Sequence, residues 1–167
     1  VGNFPLMVGS QDLSPFPSGT YTGEESGSIL KQFIELSIIG HSERRKNFGE
    51  TDEIVAKKVK QALDNQMIPL VCVQGKETAV PEGVKLIAYE QVFAIGTGNP
   101  DTPENANEVA GYFKETDGTE VLYGGSVTDE NVKSFINMEN INGVLVGGAS
   151  LNPDEFARIV QEAYAIR

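Results

Sequence analysis

The sequence predicts an α/β fold, a parallel sheet covered by helices, and two observations carry that reading. Short apolar runs recur along the chain and are near-continuous rather than alternating, as strands buried on both faces are. Segments with readable helix starts lie between them, and such strand–helix alternation builds a parallel sheet with covering helices. The candidate strands are Pro5–Ser10, Leu36–Ile39, Ile68–Val73, Val84–Glu90, Glu120–Tyr123 and Gly143–Val146. A chain of 167 residues is long enough for a core of its own. It holds no linker or low-complexity stretch, so residues 1–167 are read as a single domain.

The helices follow in order. Thr51 caps one that runs to about Asn65, with Asp52 and Glu53 in its first turn. Thr102-Pro103-Glu104 places a cap, a first-turn proline and an acid in sequence. Thr128-Asp129-Glu130 opens another helix. Asn152-Pro153-Asp154-Glu155 opens the last, with Phe156, Ile159, Val160 and Ala163 on one face. The connection from Val73 to Val84 is too short for this pattern. It holds only Gln74 to Gly83, with Gly75, Pro81 and Gly83 among them, whereas a parallel crossover usually takes about a dozen residues or more. A bare loop is expected there in place of a helix.

The formal net charge is −11. This argues against general attraction to nucleic acid or to an anionic membrane. It also opposes an anionic substrate at long range, so any phosphate site must be local, built from backbone N–H groups or a few cations. The one cysteine, Cys72, lies inside an apolar run and reads as a small buried hydrophobe. With no disulfide to form, the cytoplasm is the expected compartment. No apolar stretch is long enough to span a membrane, and there is no signal peptide. The first residue is Val1 rather than Met, which hints at a missing N-terminal piece.

Four motifs carry chemistry. Gly40-His41-Ser42-Glu43-Arg44-Arg45 follows the second strand directly, where a βα barrel keeps its active site. His41 is the only histidine. A lone histidine is usually structural, but its place at a strand end brings a functional role level with that. Glu90 ends an apolar strand, where a carboxylate is costly unless it has a task or a salt-bridge partner. After it, Ala94-Ile95-Gly96-Thr97-Gly98 is a small-residue loop that could close as a lid and bring an N–H group onto a phosphate. Tyr123-Gly124-Gly125-Ser126 and Val146-Gly147-Gly148-Ala149-Ser150 follow the last two strands. Paired glycines let backbone N–H groups approach an anion, and in barrels these two loops often hold phosphate. Either pair alone is weak evidence, since turns use glycine freely. Both together, with the Gly96 loop, are much stronger.

These motifs resemble the triosephosphate isomerase family. Ile39-Gly-His-Ser-Glu-Arg-Arg45, Ala88-Tyr-Glu-Gln-Val-Phe-Ala-Ile-Gly-Thr-Gly98, Tyr123-Gly-Gly-Ser126 and Gly143-Val-Leu-Val-Gly-Gly-Ala-Ser-Leu151 stand in that family's order. Ser18-Gly-Thr-Tyr-Thr-Gly-Glu24 resembles its dimer-contact loop. The resemblance implies a TIM (βα) barrel, here with six of the eight strands, and interconversion of glyceraldehyde 3-phosphate and dihydroxyacetone phosphate. It implies Glu90 as base, His41 as electrophile and Glu43 as a neighbouring acid. Gly96, Ser126, Gly147 and Gly148 would grip the phosphate, and Ala94, Ile95, Gly96, Thr97 and Gly98 would form the lid. No metal or organic cofactor is expected, and a homodimer through Ser18–Glu24 is.

The chain also departs from that family. Nothing matches the first two strand–helix units or their Asn-Lys pair. The residue after the base is Gln91 rather than Pro, the family's Trp is Phe93, and its Lys beyond the lid is Asn99. The Gly-Glu after the cysteine strand reads Gln74-Gly75. Two other functions stay in play: a non-catalytic relative that binds a phosphate metabolite, and another phosphate-binding barrel enzyme such as an aldolase. The latter needs a Schiff-base lysine or metal ligands at strand ends, and none stands at the strand ends identified.

Overall fold

A computed structural model describes residues 6–91, 101–115 and 118–165. They belong to two compact units, Val1–Cys72 with Ala79–Lys85, and Val73–Thr78 with Leu86–Arg167.

The first unit holds strands β1 (Gly9–Ser10), β2 (Leu36–Ile39) and nearly all of β3 (Ile68–Val73). β1 pairs in parallel with β2, Gly9 opposite Leu36. β2 pairs in parallel with β3 from Leu36 opposite Ile68 to Ile39 opposite Val71. Helices α1 (Gly27–Leu30), α2 (Ser42–Phe48) and α3 (Asp52–Asp64) belong to the same unit. α3 begins where its cap chemistry says. The Thr51 side chain accepts from the Ile54 N–H, Asp52 and Glu53 fill the first turn, and Val55, Val59 and Ala62 go into the core. The motif strand Ile68–Val73 is buried from Pro69 to Val73, and Cys72 is buried within it.

The second unit holds β4 (Leu86–Tyr89), β5 (Glu120–Tyr123) and β6 (Gly143–Val144), again all parallel. Its helices are α4 (Pro103–Lys114), α5 (Val132–Ile136) and α6 (Pro153–Tyr164), with a 3₁₀ turn at Gly148–Leu151. α4 buries Ala106, Val109, Ala110 and Phe113, and Tyr123 stacks on Phe135 at 3.9 Å between ring centroids. Val73, the tip of β3, also belongs here: its carbonyl accepts from the Glu90 N–H at 2.8 Å.

Among the described residues, three parallel strands in each unit, in chain order with helices among them, give the expected α/β class: six strands of a TIM barrel's eight. The stretch from Gln74 to Lys85 contains only turns, bends and irregular chain, so the helix after the cysteine-bearing strand is replaced by a loop, as the spacing required. Three strands are shorter than their apolar runs. Of the expected Pro5–Ser10, Pro5 lies outside the described residues and β1 keeps Gly9–Ser10 of the rest, β4 keeps Leu86–Tyr89 of Val84–Glu90, and β6 keeps Gly143–Val144 of Gly143–Val146. The helix expected to open at Thr128 instead begins at Val132, because the Asn131 side chain accepts from the Thr128 N–H and donates to the Ser126 carbonyl, holding a turn first. On α6 only Ile159 is buried, while Phe156 and Val160 are exposed. No described helix is long and apolar enough to cross a membrane.

Candidate active site

Glu90 follows β4 directly and is 1% exposed. Removing a carboxylate from water is costly unless polar groups meet it, and one that does is Gln74, whose Nε2 donates to Glu90 Oε2 at 3.4 Å. Room for the side chain comes from Gly124. A Cβ there would stand 3.2 Å from Glu90 Cγ and 3.3 Å from the Tyr89 carbonyl oxygen. The Gly124 N–H donates to that carbonyl at 2.7 Å, so the first glycine of the Tyr-Gly-Gly-Ser motif is pressed against Glu90 and the end of β4.

The two strand-end tyrosines meet Asp101. Tyr89 Oη donates to Asp101 Oδ2 at 3.2 Å, and the Asp101 N–H donates to Tyr123 Oη at 3.0 Å. Asn105 of α4 adds a bond to Asp101 Oδ2 at 2.7 Å. Burial, then the Asp101 carboxylate, raise the Tyr89 phenol far above its ordinary value. Burial pushes the Tyr123 phenol up to about 12. Both remain neutral hydrogen-bonding groups through the physiological range. Sequence reading quoted these tyrosines only as motif letters, and nothing in the spacing announced Asp101 as their shared partner.

In the first unit, His41 follows Gly40 at the end of β2 and caps α2. Its Nδ1 accepts from the Glu43 N–H at 3.3 Å and lies 4.0 Å from a Glu43 carboxylate oxygen. With Nδ1 accepting that bond, Nε2 is the donor nitrogen of the ring. The His41 side chain is 28% exposed and that of Glu43 68%.

Ser126 is half-buried, and its carbonyl is held by Asn131 Nδ2 at 2.8 Å. Gly147 and Gly148 are exposed, with open space where a Cβ would be. The Gly147 carbonyl accepts from the Ser150 N–H and hydroxyl at 2.9 and 2.7 Å, which fixes the turn that presents the two glycines. Ala94, Ile95, Gly96, Thr97 and Gly98 lie outside the described residues. Ser18–Glu24 is a wholly exposed loop, pinned at its base by the Ser14 N–H to Glu25 carbonyl bond and by Phe16 stacked on Tyr21 at 4.4 Å. Among the described residues no group of acids, cysteine and histidine could hold a metal ion.

Behind α2 sits a charge cluster that sequence reading missed. Lys58, 3% exposed on the buried side of α3, donates to both Asp12 oxygens at 2.6 and 2.7 Å and to Glu50 Oε1 at 2.5 Å. Arg44 of α2 reaches the same Glu50 oxygen at 2.5 Å and Asp12 at 2.9 Å. Burial would raise the Glu50 carboxyl, but the Lys58 and Arg44 bonds outweigh it and hold it below its ordinary value. At Asp12 burial prevails, and its carboxyl is raised.

Comparison with known proteins agrees with the motif order. The family model described as triosephosphate isomerase matches residues 2–86 and 82–163. A protein named triosephosphate isomerase from Dehalococcoides mccartyi is 37% identical over 195 residues, covering 99% of this chain and 77% of its own length. One of that name from Mesomycoplasma hyorhinis is 39% identical, covering 93% of this chain and 73% of itself. Another from Clostridium botulinum is also 39% identical, covering 93% and 76%.

Proposed function

The chain belongs to the triosephosphate isomerase family, and we propose that it interconverts glyceraldehyde 3-phosphate and dihydroxyacetone phosphate by moving a proton between adjacent carbons. The observation that carries this reading is Glu90, a carboxylate almost wholly removed from water at the C-terminal end of β4. That is where a barrel puts catalytic groups.

Glu90 takes the proton from the carbon beside the substrate carbonyl. The C–H electron pair becomes the double bond of an enediolate, and the carbonyl oxygen takes up the negative charge. His41 donates its Nε2–H to that oxygen, a bond that strengthens as charge develops. The hydroxyl proton on the neighbouring carbon passes to the former carbonyl oxygen, Glu90 returns its proton to that neighbouring carbon through the electron pair of the double bond, and the oxygen that lost its proton becomes the new carbonyl. Triosephosphate isomerase is itself a standard example of a glutamate base working with a neutral histidine, so this division of roles is taken from the family. The rearrangement is internal and calls for no cofactor. Gly147, Gly148 and Ser126, with Gly96, hold the phosphate through N–H groups, and Glu43 sets the His41 ring through its backbone N–H. The Ser18–Glu24 loop serves as a homodimer contact, and the cytoplasm is the compartment.

A second reading is phosphate binding without turnover. A coupled isomerase assay of the chain and of its Glu90→Gln variant separates the two. Turnover that vanishes in Glu90→Gln supports the isomerase. Tight retention of a triose phosphate with no turnover in either protein leaves the binding reading standing alone.

A further inference from the structure

The loop that replaces the missing helix reaches the proposed base. Gln74 is its first residue, directly after Val73, and the Val73 carbonyl accepts from the Glu90 N–H at 2.8 Å. The two backbones therefore run side by side where the side chains meet. The Gln74 N–H donates to Thr78 Oγ1 at 3.1 Å, and the Thr78 N–H donates to the Gly75 carbonyl at 3.1 Å, closing a tight turn. Lys76 then ties the turn to α4 through Glu108 at 2.6 Å. From this fixed base the half-buried Gln74 side chain donates Nε2–H to Glu90 Oε2 at 3.4 Å.

We propose that Gln74 is a positioning residue for Glu90, an amide donor that the shortened β3–β4 loop supplies to aim the base's carboxylate. This rests on the reading of Glu90 as the base. A carboxylate has a broad, roughly two-fold torsion at its end, and a general base works only within hydrogen-bond reach of the proton it removes. A donor fixed on one oxygen narrows that torsion. The bond is long, so it restrains the group while leaving it able to accept a proton.

Two measurements on the whole chain test this. The first needs no turnover. The Gln74 side-chain amide resonances, assigned by their loss in Gln74→Met, should move clearly in Glu90→Gln, which removes the charge they face. Unmoved resonances would overturn the contact. The second is kinetic. Gln74→Met keeps the length of the side chain and removes the donor, and should lower kcat roughly tenfold with KM within about twofold. In a Glu90→Asp background, where the carboxylate is withdrawn from Gln74, the same change should cost almost nothing more. Gln74→Glu, which puts a second carboxylate against the base, should lower kcat further than Gln74→Met. An active chain with unaltered kcat in Gln74→Met would overturn the positioning role alone. An inactive unaltered chain would overturn the isomerase reading, and this role with it.

Discussion

A base that must reach a C–H proton is sensitive to its own length. Glu90→Asp keeps the charge and withdraws it by one methylene, and geometry of this kind carries a large part of a barrier. Turnover should fall about 100-fold or more, with modest change in KM; steady-state kinetics of the two proteins decide it, and near-normal kcat in the variant would remove Glu90 from the role. Gly124→Ala tests the same side chain from its neighbour. The new methyl would crowd Glu90 Cγ at 3.2 Å and the Tyr89 carbonyl at 3.3 Å. The carbonyl is backbone and yields little, so the carboxylate must shift. The expected outcome is a kcat loss on the order of tenfold and a lower melting temperature, since overpacking costs about 1–3 kcal/mol. A fully active and equally stable variant would mean that the close approach is not needed. The place of Glu90 at the end of an apolar strand was legible in the sequence. Its contacts with Gly124 and Gln74 were not, since they depend on which strand ends lie beside it.

At the level of elements, caps were the most legible signal, because cap chemistry is local. Thr51, Thr102 and Asn152 each accept from the N–H groups of the helix they precede. Apolar runs gave the strands but overran them, since burial and ladder pairing are different properties. Val84 is buried yet lies outside the β4 ladder. α2 went unread because Ser42–Phe48 is polar along nearly its whole length. Ion pairs tie it to α3, through the Arg44–Glu50–Lys58–Asp12 cluster and through Arg45 Nη1 on Asp52 at 2.7 Å, and periodicity cannot show such contacts. Lys58→Met would leave Glu50 and Asp12 facing each other with Arg44 alone, and breaking a buried ion pair costs about 3–5 kcal/mol. Urea unfolding of the variant should show a loss of that order, and a loss below about 1 kcal/mol would count against the cluster. Acid tests the same contacts. Glu50 is held below its ordinary 4.5, so its contribution is complete above that pH and is lost as pH falls through the lower folded value. Asp12, raised above 3.8, has the opposite sign: its penalty is relieved in acid. Within this cluster the acid-side fall in stability therefore belongs to Glu50, and Glu50→Gln should reduce it.

At the scale of the whole molecule, a chain with a formal net charge of −11 is proposed to take an anionic substrate. The long-range field opposes the encounter. The proposed grip, by contrast, is local: N–H groups at Gly147 and Gly148, which open the 3₁₀ turn Gly148–Leu151 and have no atom near where a Cβ would stand. These two contributions respond differently to salt. The Debye length shortens from about 30 Å at 0.01 M to about 8 Å at 0.15 M. Repulsion from the surface as a whole is therefore screened away, while hydrogen bonds at contact distance are barely touched. An enzyme that steers its substrate with positive charge loses kcat/KM as salt rises. This chain should do the reverse, gaining roughly twofold in kcat/KM across that range while kcat stays nearly level. The salt should be one whose anion competes poorly for a phosphate site, and inhibition by inorganic phosphate run alongside would reveal direct competition. A steady fall in kcat/KM from the lowest ionic strength, with no competition detected, would mean that the substrate meets a positive field at the site despite the charge of the chain, and that cations rather than backbone N–H groups govern the capture of the phosphate.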